Sequence, residues 1–198
     1  LFIEYLNFQS IKLAGVNMSE PRKYKYIPEK YPERPEIKDL DKDKIVKMLL
    51  SAFADEILAY YSYLMMAYAI RGHISKELEE TILEIGKDEL EDHAKKLADR
   101  LQDFDVDPPD FRDLWQLSRC RYPDLPDDPH DIDSWLLAGV KAEICALQHY
   151  REIYEYVSPK DPVTEEVVEE IMEDEAKHET IFRMLLSKEG LKKLEEAK

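Results

Sequence analysis

The stretch Ile171 to Phe182 (IMEDEAKHETIF) decides how this chain folds. Successive residues of a helix turn by about 100°, so Ile171, Glu175, His178 and Phe182 share one face, with Val168 a turn before them. An acid and a histidine thus sit in the middle of an apolar stripe. A second segment repeats the arrangement with Ile82, Ile85, Glu89, His93 and Leu97. Two more segments each carry one acid on a stripe that is otherwise apolar or aromatic: Glu56 with Tyr60 and Tyr63, and Glu143 with Leu147, Tyr150 and Tyr154. A buried carboxylate is costly unless it is paired or bound to metal, and two divalent cations cancel the charge of four converging ones. One acid from each of two helices, with an acid and a histidine from each of two others, is the donor set of a dinuclear carboxylate centre inside a bundle. Taken alone, such an acid and histidine match is cheap in so acidic a chain. The weight rests on four helices that each place their element near mid-length. The expected metal ligands are Glu56, Glu89, His93, Glu143, Glu175 and His178.

The helices around these residues are legible from periodicity and caps. The first is expected from about Asp43 to Arg71, halted at Gly72. The second opens after Ser75, an N-cap followed by Glu77, Glu79 and Glu80, and runs to about Phe104. The third spans about Asp133 to Val157, and the fourth starts at Asp161 and Pro162, cap and first helical position, and passes Leu186. Tight links at Gly72 and at Ser158 to Asp161 make each consecutive pair an antiparallel hairpin. Between the pairs runs a crossover, Asp105 to Asp131, rich in Pro and Asp, whose centre Pro109 to Ser118 (PDFRDLWQLS) predicts one short amphipathic helix. No strand pattern competes. The fold class is therefore all-α: a ferritin-like four-helix bundle with a long crossover carrying a short helix.

At 198 residues the chain suits a single bundle domain, expected over 41–198. An extended arm, 18–40, precedes it, because alternating Pro, Tyr and Lys disfavour helix there. Residues 1–17 read differently. They hold both Asn residues of the chain, and Glu4 to Ser10 (EYLNFQS) resembles a viral-protease cleavage linker with two letters exchanged, so a tag or upstream segment is expected, with Met18 as the native start. From Met18 onward Asn is absent, Gln is scarce and Glu and Lys abound, a drift associated with hot environments. A formal net charge of −16 disfavours nucleic acid as a primary partner, since phosphate binding needs clustered Lys and Arg. Only the arm, with Arg22, Lys23, Lys25 and Lys30, is locally basic. No run is long and apolar enough to span a membrane.

Two cysteines, Cys120 and Cys145, are too few for a secreted disulfide scaffold and lack zinc spacing, and a cytoplasmic location is expected. Cys145 stands two residues from Glu143, which turns it about 160° away from the ligand face and off the metals. Pairing with Cys120, at the end of the crossover helix, is geometrically open; so is a reading of both as small buried hydrophobes. His149 lies off the ligand face, and His73 and His130 lie in connections, so all three read as structural or surface residues.

From Ala54 to Leu186 the chain resembles the Dps-like proteins of the ferritin superfamily, called thioferritins, which combine a bacterioferritin-type di-iron site with a Dps-type cage. The resemblance is carried by Ala54 to Tyr61 (ADEILAYY), Glu89 to His93 (ELEDH), Cys120 with the following Leu125 and Pro126, Ala142 to Cys145 (AEIC) and Glu175 to His178 (EAKH). One departure stands out from the broader ferritin pattern: Leu90 occupies the position where ExxH would place its Glu. Glu89, four residues before His93, takes the role, with Asp55 and Asp92 as the nearest alternative carboxylates. The resemblance implies a twelve-subunit assembly, with a larger ferritin-type shell as the alternative, and a redox role for Cys120 and Cys145 close to the metals.

Carboxylates and imidazoles without thiolate suit iron or manganese rather than structural zinc, and iron has a redox couple to use. The expected cofactor is iron, two per subunit. The expected activity is that of a ferroxidase. Glu89 and Glu175 bridge two Fe(II), Glu56 and Glu143 are terminal, each iron has one histidine, and each gives one electron to hydrogen peroxide or dioxygen. Ferric product is then stored in a hollow cage, which protects against oxidative stress. Tyr63 and Tyr150, each seven residues after a terminal Glu, hydrogen-bond ligands or donate electrons, unless they simply fill core. Two rivals share this chemistry. A di-iron peroxidase or oxygenase acting on another substrate needs an open pocket and no cage. A DNA-protecting Dps needs basic tails, whereas the C-terminal Lys192, Lys193, Glu195, Glu196 and Lys198 are mixed, so DNA is not an expected partner.

Overall fold

The computed structural model describes residues 37–121 and 125–196. The expected tag segment and nearly all of the arm lie outside them. Helix α1 (Lys42–Ala69) is capped by Asp41, whose side chain accepts a hydrogen bond from the Lys44 N–H at 3.2 Å. The chain leaves it through Gly72 at φ 139, in the left-handed region that favours glycine. The expected second helix is three pieces: α2 (Ser75–Asp88), a π-helical turn over Glu89–His93, and α3 (Ala94–Asp103). In the crossover, α4 (Leu114–Leu117) is a single turn, shorter than expected. Asp110 explains this by accepting from the N–H of Arg112 at 3.1 Å, a local turn that competes with helix. Helices α5 (Ile132–Val157) and α6 (Pro162–Leu185) follow, capped by Asp131 and Asp161. A short α7 (Lys188–Glu196) was not expected. It folds back on the start of α5, where the Ser187 N–H donates to Asp133 at 2.9 Å and Leu194 is buried. No strand occurs among the described residues, and no helix among them is long and apolar enough to cross a membrane.

The apolar residues form two clusters. One gathers Ile45 and Leu49 from α1, Leu97 and Leu101 from α3, Ile153 and Val157 from α5, and Val168 and Ile171 from α6. The other gathers Met66 and Ile70, Ile82 and Ile85, Trp135 and Leu136, and Phe182 with Leu186. Read along the chain, α1 and α6 run from the first cluster to the second, while α2–α3 and α5 run back. The crossover therefore travels the length of the bundle, as two hairpins joined in this order require. The midpoints of all four long helices fall between the clusters, in a layer walled by hydrocarbon at both ends.

Two features hold this frame that sequence reading missed. Arg100, 2% exposed, donates two hydrogen bonds to Asp161, at 2.9 and 2.7 Å, and one to Thr164 at 2.7 Å. It ties the end of α3 to the cap of α6. Gly139 lets α5 approach α6 closely, for a Cβ there would stand 2.7 Å from the Phe182 ring.

Candidate metal centre

The layer between the clusters is polar. Glu56, Glu89, Glu143, Glu175, His93 and His178 are all buried, the most exposed of them at 4%. Their ligating atoms fall into two groups, each drawn together within 4.8 Å: Glu56, Glu89, His93 and Glu175, and Glu89, Glu143, Glu175 and His178. Glu89 and Glu175 belong to both. His93 Nδ1 lies 2.9 Å from Glu89 and 3.5 Å from Glu56 and from Glu175, and His178 Nδ1 lies 3.3 Å from Glu89 and 3.8 Å from Glu175. Two hydroxyls support the outer acids crosswise. Tyr63 of α1 donates to Glu143 of α5, and Tyr150 of α5 donates to Glu56 of α1.

The π-turn is what makes the second helix contribute. The Ala94 N–H donates to the carbonyl of Glu89, five residues back, which widens the turn by one residue. Glu89 and His93, four apart, then both reach the centre, as the three-apart Glu175 and His178 do on α6. Leu90 turns outward and is 36% exposed. The alternative carboxylates have other partners. Asp92 pairs with Lys96 at 2.7 Å. Asp55 accepts from Ser118, from the Cys120 N–H at 3.0 Å and pairs with His149 at 2.8 Å, so it anchors the crossover to α1 and α5. Two further acids stand at the far nitrogens of the histidines: Asp174 at 3.7 Å from His93 Nε2, and Asp88 at 3.5 Å from His178 Nε2. Sequence reading did not single them out, although each directly precedes a central Glu and the Asp-Glu pair recurs at Asp55–Glu56.

The electrostatics are those of a cation site. Burial, with the charges of Glu175 and Glu89 behind it, drives the carboxyls of Glu56 and Glu143 well above the ordinary range. Burial favours a neutral His178, but the facing carboxylates of Glu175 and Glu89 outweigh it and push the ring up to about 10. His93 is likewise raised, against its burial, by Glu175, Glu56 and Glu89. Glu175 goes the other way: burial would raise it, yet hydrogen bonds with Glu143, His178 and His93 hold it below the carboxylate range. Glu56 Oε2, Glu89 Oε1, Glu175 Oε2, His178 Nδ1 and His93 Nε2 are buried without a hydrogen-bond partner. The first four belong to the two donor groups, and unpaired atoms buried this deeply fit a divalent metal pair.

Cys120 and Cys145 form a disulfide, with Cα atoms 5.8 Å apart. Neither belongs to the donor groups. The expectation that Cys145 faces fully away needs correction, because the disulfide borders a cavity that reaches Glu56, Glu89, Glu143 and Glu175. A rotation about the α5 axis does not register the crossover, which brings Cys120 over the groove between α1 and α5. His149 is buried against Asp55, while His130 lies exposed beside Asp128.

A profile of the Ferritin-like domain matches residues 46–191. The chain is 34% identical over 152 residues to the DNA protection during starvation protein of Pyrococcus furiosus, a match covering 75% of this chain and 80% of that protein. Among solved structures it is similar to a dodecameric thioferritin, the bacterioferritin-related protein of Bacteroides fragilis, with a TM-score of 0.68 and 28% identity over 80% of this chain and 90% of that one. Dps of Thermosynechococcus elongatus matches with a TM-score of 0.68 at 15% identity, over 74% of this chain and 92% of that one, a likeness of fold. The chain belongs to the ferritin-like family.

Proposed function

We propose that this chain is an iron-oxidising and iron-storing Dps-like ferritin, a ferroxidase. The observation that carries the reading is the pair of buried four-residue donor groups that share Glu89 and Glu175. Glu56 with His93 would hold one Fe(II) and Glu143 with His178 the other, with the shared acids between them. Each Fe(II) gives one electron to the oxidant. With hydrogen peroxide, two electrons and two protons yield two water molecules; dioxygen is the alternative oxidant. Tyr63 and Tyr150 donate to the outer acids, and Tyr63 would relay an electron through Glu143. Cys120 and Cys145, as a dithiol, would supply two electrons and two protons on closing the disulfide, which couples the centre to thiol reductants.

We infer further that twelve copies assemble into a hollow cage in the cytoplasm, as the dodecameric neighbour suggests, and that ferric product collects inside. The charge of −16 suits a cage that collects cations, and protection then comes from removing Fe(II) and oxidant rather than from covering DNA. Anaerobic loading with Fe(II), then peroxide or air, tests this when Fe(III) absorbance and particle size are read on one sample. Rapid oxidation lost in Glu175→Ala, with many irons per subunit in a large particle, is the expected result. Two irons per subunit, no mineral and a small particle would favour a di-iron peroxidase or oxygenase instead.

A further inference from the structure

The centre has two different sides. Toward α2 and α6 a surface hollow beside His178 is lined by the acids Glu84, Asp88 and Asp174. Toward α1 and α5 lies a cavity of about 180 Å³ whose inner end is formed by the central glutamates. Its walls are Leu58, Ala59, Ala142, Ala146 and the Cys120–Cys145 disulfide, with Asp55, Tyr63 and Ser118 among them, and its rim carries the exposed Arg121 and Lys141.

The opening of this cavity carries two cations, whereas the hollow beside His178 sets three acids against Lys177, so Fe(II) is drawn to the hollow rather than through this opening. Nor does a small oxidant account for its size. A water molecule occupies about 30 Å³, whereas an apolar cavity of about 150 Å³ stays dry and admits benzene. The polar groups of the walls are already engaged, Ser118 with Asp55 and Tyr63 with Glu143, and the remaining Leu, Ala and disulfide sulfur offer no chain of polar partners to hold several waters. The occupant this space fits is a neutral molecule with an apolar body and a reactive end that reaches the carboxylates.

We propose that the cavity binds organic hydroperoxides, ROOH, with the alkyl or aryl group between α1 and α5 and the O–O end at the metal centre. This rests on the iron-oxidation reading above and adds a substrate class to it. The O–O bond breaks, two Fe(II) supply one electron each, two solvent protons are taken up, and the products are the alcohol ROH, one water and two Fe(III).

The test uses the full chain, with cumene hydroperoxide and hydrogen peroxide as oxidants and Ala146→Leu and Ala59→Leu as variants that fill the cavity without replacing a ligand. Binding of the product alcohol, 2-phenyl-2-propanol, to metal-free protein is read by saturation-transfer NMR. Cumene hydroperoxide should oxidise bound Fe(II), and each variant should slow it by about tenfold or more while changing the hydrogen peroxide rate by less than about twofold. The alcohol signal should vanish in the variants. Oxidation by hydrogen peroxide but not by cumene hydroperoxide, variants that slow both alike, or no alcohol binding to the native protein would each overturn the proposal while leaving iron oxidation intact. Failure with hydrogen peroxide and dioxygen as well would overturn both.

Discussion

Four glutamates and two histidines share one dry layer, and without metal their charges are balanced by protons. His178, with a pKa near 10, carries one at neutral pH, and His93 does so too. If the proposed metal pair binds here it must displace these protons, so loading at pH 7 should release at least two per subunit, one from each imidazole, with Glu56 and Glu143 adding more. Titration calorimetry in buffers of different ionisation enthalpy reads this number, and metal uptake without proton release would contradict it. Metal-free stability follows the same groups. The folded pKa of His178 exceeds its ordinary 6.5, so its contribution is full below 6.5 and is lost as pH rises through about 10. The six residues were legible in the sequence because each stands on an apolar stripe. Asp88, Asp174 and the Asp55 anchor were not, since a half-exposed or loop-facing acid looks like any other in a chain with 44 Asp and Glu.

Helix boundaries came within a few residues of expectation, and of the two expected caps Asp161 accepts from the Thr164 N–H, whereas Ser75 is the first helical residue and makes no cap bond; Asp41 and Asp131 cap their helices without having been read as caps. The π-turn left one trace, an acid and a histidine four apart where α6 has three. It absorbs one extra residue, so deleting Leu90 should restore an ordinary α-helical ExxH and leave both folding and metal uptake in place. Circular dichroism with metal analysis checks this; loss of either would mean that the wide turn itself is required. The buried Arg100 was invisible because charged residues read as surface by default. Arg100→Ala strands Asp161 without its partner and should cost about 3–5 kcal/mol in denaturant unfolding, against little change if the pair were solvent-screened.

At the scale of the molecule, a stripe of α1 stays uncovered within one chain: Tyr61, Met65 and Tyr68 are 56%, 44% and 57% exposed. Apolar faces of this kind are covered by association, and Met65→Glu should yield smaller particles by light scattering if α1 meets another subunit in the proposed cage. How subunits meet was not legible in the sequence, which marks an exposed stripe without saying what covers it. The claim on which everything else rests is the metal pair. Anomalous diffraction from crystals of the assembled protein loaded with Mn(II) tests it most directly. Two peaks per subunit flanked by Glu89 and Glu175, one beside His93 and one beside His178, are the predicted result. A single peak, or peaks only at surface acids, would contradict it.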